Sequence, residues 1–175
     1  TSRHLMIKAL GFLAACSPDA VKTLVTELKD EDPKLRAAAA TALGDLDQAD
    51  EPTLRALQAL LDDPEPTVQL AAVATLRWLS VDGVQRINRV VVDLLAHSRP
   101  EIRREAVKSL ADFGAIGFKQ AAVLLDEAIK DTDPHVRSSA SRTLAIVAAA
   151  NYNNLAVDEM IEALKESDPQ TRVDA

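Results

Sequence analysis

Three histidines, one cysteine and a tryptophan–aspartate pair are the side chains here best suited to chemistry. Metal sites need ligands gathered by short spacings. His4, His97 and His135 are never four apart and join no Cys/His cluster, so no zinc site is expected. His97 is expected to cap a helix end. Cys16 follows Ala14-Ala15 and precedes Ser17-Pro18, with no His-bearing motif to activate it. The expectation is a buried, inert thiol. Trp78 and Asp82 lie four apart. Such a pair suits base recognition only with further aromatic platforms and basic walls. The glycines are scattered and form no phosphate loop or nucleotide fingerprint. No catalytic, cofactor-binding or metal-binding residue is assigned.

The elements that would position these residues follow from a repeating proline. Pro33, Pro66, Pro100, Pro134 and Pro169 recur every 33 to 35 residues. A period in this range means stacked units. Two residues after each proline stand Leu35, Val68, Ile102, Val136 and Thr171. Six residues after stand Ala39, Ala72, Ala106, Ala140 and Ala175. This apolar face opens a helix, B, and Asp32, Asp133 and Asp168 are its expected N-caps. Before each proline lies a second helix, A, with an i, i+4 ridge: Leu24 and Leu28, Leu57 and Leu61, Val91 and Leu95, Leu125 and Ile129, Met160 and Leu164. Ser17-Pro18 and Glu51-Pro52 start two A helices. Gly83, Gly114 with Gly117, and Asn151-Tyr152-Asn153-Asn154 are expected to separate the other units. Arg3, Met6, Leu10 and Leu13 share the register of Arg137, Ala140, Leu144 and Val147. The expected organisation is one repeat segment over 1–175, cut inside a repeat at both ends.

Composition bounds the function. The chain has 175 residues, 47% hydrophobic and 3% aromatic, with a net charge of −7. An acidic surface argues against general nucleic-acid or membrane-surface binding. One cysteine excludes an internal disulfide, and no long apolar run or signal segment appears. A cytoplasmic location is the expectation.

With these residues in place, the pattern resembles the HEAT repeat. The strings that carry the resemblance are Asp32-Pro33-Lys34-Leu35-Arg36, Arg99-Pro100-Glu101-Ile102-Arg103, Asp133-Pro134-His135-Val136-Arg137 and Asp168-Pro169-Gln170-Thr171-Arg172. The resemblance implies an all-α fold, a right-handed α-solenoid of stacked antiparallel helix pairs. It also implies a scaffold that grips proteins on a concave B-helix face, and a polar ladder along the stack. The acidic column reads Asp30, Asp63, His97, Asp131, Glu166, and the basic column Arg3, Arg36, Gln69, Arg103, Arg137, Arg172. Pairing each base with the next repeat's acid gives Arg3–Asp30, Arg36–Asp63, Gln69–His97, Arg103–Asp131 and Arg137–Glu166. Both departures then fall in one rung, Gln69–His97, a candidate hinge. Pairing inside repeats spoils two rungs, and unpaired buried charge is costly. No His-Glu dipeptide occurs, unlike the iron-dependent hydroxylases built on similar helical pairs.

The expected contact surface is the outward ridge four, eight and twelve residues after each proline. Leu70 and Trp78 lie on it, with Arg104, Lys108 and Arg142 on the following repeats. An aromatic edged by cations is the composition of an interface anchor. Its expected partner is an acidic or amphipathic protein segment. Residues 45–65 hold seven acids against Arg55, whereas 84–108 hold six cations against three acids. That basic segment supports an alternative, anionic-ligand or nucleic-acid binding. A further alternative is enzymatic: short repeat proteins of this kind resemble bilin lyases, and some helical-repeat DNA glycosylases use a tryptophan and an aspartate. Cys16 and Asp82 are the residues such a reading would need.

Overall fold

The computed structural model describes residues 2–46, 48–79, 84–112 and 114–165, without the side chains of 78, 84, 112, 114–119 and 151–165. Among the described residues there are nine α-helices and no strand. They are α1 (Ser2–Ala14), α2 (Pro18–Glu27), α3 (Pro33–Leu43), α4 (Glu51–Ala59), α5 (Pro66–Leu79), α6 (Val84–Leu95), α7 (Pro100–Ser109), α8 (Gly114–Ala128) and α9 (Pro134–Lys165). Short 3₁₀ turns, Leu60–Asp62 and Leu110–Asp112, extend α4 and α7. The chain forms two compact units, Thr1–Ser109 and Leu110–Ala175.

Helix starts are set chemically. Proline at N1 or N2 opens α2, α3 and α4, where its missing N–H is no loss. The donors that remain are met by side chains. Ser17 Oγ accepts from Ala20 N at 3.3 Å, and Asp32 Oδ1 from Lys34 N at 2.9 Å. Asp50 Oδ1 accepts from Thr53 N at 2.9 Å, and Asp133 Oδ1 from His135 N at 2.8 Å. Asp168 lies outside the described residues.

The first unit packs α1, α3 and α5 side by side, with α2 against α1 and α3, α4 against α5, and α6 against α5 and α7. Leu35, Ala39 and Leu43 of α3 and Val68, Ala72 and Leu76 of α5 are buried, as are Leu24, Leu57 and Val91 of the A helices. Two glycines let the B helices approach. A Cβ on Gly11 would meet the Ala42 Cβ at 3.0 Å, and one on Gly44 would meet Thr75 Oγ1 at 3.2 Å. Thr75 is buried and donates to the Ala40 carbonyl at 2.8 Å, tying α5 to α3. The α5–α7 junction is less closely packed. There Arg77 takes the position of Gly11 and Gly44 in the register, and it donates to the Ser109 carbonyl.

The polar columns meet as follows. Arg36 Nε and Nη2 grip the two oxygens of Asp63, each at 2.8 Å, and both side chains are largely buried. Its Nη1 donates backwards to the carbonyls of Asp30 and Glu31, at 2.8 and 3.0 Å. One guanidinium therefore closes its own repeat's turn and holds the next repeat's acid. Asp63 also accepts from Glu65 N at 2.9 Å. Arg3 binds Asp30 and Glu27. Accepting the Asp32 N–H, and then Arg3, holds the Asp30 carboxyl below its ordinary range. Arg103 and Arg137 each donate to the two carbonyls of their own turns, His97 with Ser98 and Asp131 with Thr132. Gln69 Nε2 donates to the Asp63 carbonyl, at 2.8 Å. His97 Nδ1 accepts from Arg99 N at 3.1 Å, closing the turn into α7. Glu166 and Arg172 lie outside the described residues.

Two boundary expectations need correction. The Asn151–Asn154 cluster does not break the chain, because α9 runs unbroken from Pro134 to Lys165. No proline or glycine interrupts that stretch, and Ala148-Ala149-Ala150 leads into the cluster. Asparagine costs only about 0.7 kcal/mol per helical position, against about 3 for proline. Gly117 likewise lies inside α8, which opens at Gly114.

Two outcomes test this account. Asp63→Ala strands Arg36 and removes a turn acceptor. It should lower the unfolding free energy by about 2 kcal/mol, below the cost for a fully buried pair because one edge still meets water. The check is a shifted urea midpoint at unchanged slope. The Asp50 carboxyl is held below its ordinary value by hydrogen bonds from Thr53. A depressed folded-state value gives stability that is present above the unfolded value, near 4, and lost as pH falls through the folded one. Asp50→Asn keeps a competent cap but should flatten the urea midpoint's fall between about pH 5 and pH 3.

Candidate functional site

The B helices of the first unit run parallel. Arg3 meets Asp30 where α1 begins and α3 is about to begin, and Gly11 meets Ala42 near both C-terminal ends. Arg36 with Asp63, and Gly44 with Thr75, repeat the arrangement for α3 and α5. Parallel ridges with small residues between them leave a trough. Across α1, α3 and α5 it forms a groove of about 910 Å³. Its floor includes Ala37, Ala38, Ala42 and Ala71. Phe12 forms one wall and is 83% exposed. An aromatic ring left in water beside an apolar floor is where further apolar surface gains most from burial.

Charge is arranged along this groove. His4, Lys8 and Lys34 line it, with Asp45 and Glu65. Glu65 is already engaged, accepting from Arg99 at 3.1 Å. Among the described residues, Lys8, Lys34 and Asp45 form no ion pair.

The residues of the expected contact ridge fall differently. Leu70 is half-buried and packs against the cluster of Leu94, Ile102 and Ala106, so it belongs to the α5–α6–α7 packing. The Trp78 side chain and Asp82 lie outside the described residues. Lys108 Nζ pairs with Glu105 at 2.8 Å, and Arg104 Nε lies 3.5 Å from the same carboxylate. That buried Nε makes no hydrogen bond. Arg142 is exposed on α9, in the second unit. The acidic and basic segments meet one another: Arg86 binds Asp62, and Arg99 binds Glu65. Two of the six cations of 84–108 are thus engaged in surface pairs between repeats.

Cys16 is exposed, contrary to the expectation of a buried thiol. α1 ends at Ala14, and the turn carries Cys16 outward, with its N–H on the Leu13 carbonyl at 3.0 Å. It lines a second cavity of about 630 Å³ beside Pro18, Lys22 and Asp50. Among the described residues no three of His, Cys, Asp and Glu are gathered as metal ligands, and no helix is long and apolar enough to cross a membrane.

The groove was not legible in advance because its floor is made of alanine, which carries no chemical signal. The glycines did carry one. Gly11 and Gly44 stand in the same register position one repeat apart, yet they read as scattered when only nucleotide loops were sought.

Comparison with known proteins identifies the architecture. A family model of HEAT repeats matches residues 1–77, 54–142 and 88–175. Crystal structures of two engineered proteins are similar. One is 21% identical, covering 97% of this chain and 85% of that one, with a TM-score of 0.50. The other is 20% identical, covering 98% and 87%, with a TM-score of 0.51. A designed armadillo repeat protein in complex with the peptide (KR)4 is 15% identical, covering 95% and 87%, with a TM-score of 0.50. No curated protein sequence matches the chain. At these identities the structural likeness shows the fold, an all-α solenoid of stacked helices. With capped helix pairs, a repeating polar turn and a family model spanning the chain, this protein belongs to the HEAT-repeat family.

Proposed function

We propose that this chain is a non-catalytic scaffold that binds a protein segment on the B-helix face of α1, α3 and α5. The observation that carries the reading is the 910 Å³ groove, floored by alanine and walled by a largely exposed Phe12. Concave, mostly apolar surfaces with a few polar groups at the rim are where proteins take ligands. Helical-repeat folds present such surfaces across several units. The designed armadillo neighbour, whose solved complex contains a peptide, is a precedent for peptide binding on a related fold.

The groove is a better seat than the Leu70, Trp78, Arg104, Lys108 and Arg142 ridge. Leu70 is occupied in packing, and Glu105 offsets two of the cations. An acidic or amphipathic segment remains the partner chemistry of choice, since the groove offers two unpaired lysines beside apolar surface.

The test is selection of a random peptide library against the protein, with binding of the selected peptides then measured on an Ala38→Glu/Phe12→Ser variant. Phe12 is exposed and Ala38 only half-buried, so the variant should stay folded. Selected peptides should lose at least about tenfold in affinity, equivalent to about 1.4 kcal/mol. Peptides that bind both proteins equally would overturn the assignment of this face.

A further inference from the structure

We infer that the outer face of α1 is a separate docking surface that takes one amphipathic helix of a partner, laid antiparallel to α1 with its C-terminal end at Arg3. The inference does not depend on the groove. The molecule's own repeats supply the template.

In the register, Met6 takes the position of Ala39, Ala72, Ala106 and Ala140. Those alanines are wholly buried, whereas Met6 is 61% exposed. Leu10 matches the buried Leu43, Leu76 and Leu110, yet it is only half-buried. Leu13 matches the buried Val147 and is 56% exposed. What covers the alanines is visible at α6 and α7. Ile102 and Ala106 pack on Leu94, with Val90 and Leu95 beside them. The cover is an A helix with aliphatic side chains one turn apart. Met6, Leu10 and Leu13 stand at i, i+4 and i+7, a single stripe on α1. The other side of α1, with Ile7, Gly11 and Ala14, is already buried, and its packing partners are α2 and α3. A helix apolar on both sides belongs between two neighbours.

Arg3 sets the direction. Arg36, Arg103 and Arg137 each give Nη1 to two carbonyls in the turn that follows an A helix. Arg3 shares their register but donates through Nη2, to Glu27 and Asp30. Among the described residues its Nη1 has no acceptor. A guanidinium edge suits the orphan carbonyls and partial negative charge of a helix C-terminus. Two facts point to a partner rather than a second copy. Leu24, Leu57, Val91 and Leu125, on the A helices of this chain, are buried in their own repeats. Among the described residues, a copy therefore has no such ridge to lend without opening its own core. The column that is alanine in the inner repeats is also methionine here, an unbranched side chain that adapts to varied surfaces. The matching partner is a helix with Leu, Ile or Val at i and i+4 and a polar C-terminal turn.

The experiment uses the whole chain and the capped helix Ser-Pro-Glu-Ala-Leu-Lys-Lys-Leu-Leu-Lys-Glu-Leu-Ala-Asp-Gly, carrying a nitroxide at one end or the other. Labelled at its C-terminal end, it should broaden the amide signals of Arg3 and Met6 most. Labelled at its N-terminal end, it should broaden Leu13 most. Met6→Lys/Leu13→Lys should weaken the peptide at least about tenfold. Both side chains are exposed and lysine is a good helix former, so this variant should stay folded. Arg3→Lys keeps the charge but loses the fork, and should weaken binding about threefold. Ala38→Glu, a change in the groove, should leave the affinity as it is. Equal affinity for the native chain and Met6→Lys/Leu13→Lys, or no broadening at millimolar peptide, would overturn the site. Exchanged label patterns would overturn the direction. A loss with Ala38→Glu as large as that from the α1 variant would seat the helix in the groove, overturning this inference and sparing the groove reading. Self-association of the native chain that the peptide abolishes would make a second copy the occupant and overturn the partner.

Discussion

The guanidinium of Arg36 has two usable edges, and the stack is organised around what each binds. One edge holds the carbonyls that close the turn between α2 and α3, and the other holds Asp63 before α5. A turn of this kind leaves carbonyls that the helices cannot satisfy, and burying them unpaired is expensive. Arginine supplies enough fixed donors to satisfy a turn and carry a charge to the neighbouring repeat. Lysine could do either but not both in fixed geometry. The acid is equally economical: Asp63 accepts Arg36 and the Glu65 N–H together. Local turn closure and stacking are thus one interaction, which couples the repeat's own geometry to its neighbour's.

This double use explains why the ladder was ambiguous on paper. Sequence spacing offered a rung within the repeat or a rung between repeats, and counting spoiled pairs favoured the second. Arg36 makes both contacts, one through backbone carbonyls that have no sequence signature. The prolines, caps and apolar positions were legible because each answers a local demand: a missing N–H, an orphan donor, a buried face. Leu24, Leu43 and Leu76 are fully or almost fully buried where the register put them. The Asn151–Asn154 cluster misled because polarity resembles a turn, whereas helix interruption needs proline or glycine geometry. Cys16 misled for the opposite reason, since an alanine-rich flank resembles a core until the helix end is fixed.

The groove follows from the same economy. Small side chains on neighbouring B helices permit close approach, and what they leave uncovered is shallow, apolar and continuous over three helices. Specificity on such a surface must come from the rim. Several charged groups of the first unit are engaged between repeats, including Arg36, Arg86 and Arg99. Lys8, Lys34 and Asp45 stand apart because the ladder does not use them.

The junction between α5 and α7 departs from this plan in two positions at once. Gln69 stands where arginine bridges elsewhere, and Arg77 stands where glycine admits a close neighbour. The first two B-helix contacts are thus short and stiff, and the third joins the packing of Leu70 on Ile102 and Ala106 to a long arm that reaches the Ser109 carbonyl. In mechanical terms the first unit is a spring of unequal segments. A load along the stack would be taken up as displacement at α5–α7 before the glycine-packed helices yielded, because a flexible side chain can swing at little cost while interlocked Cβ atoms cannot. The groove, built on the stiff segments, would keep its shape while α7 shifted.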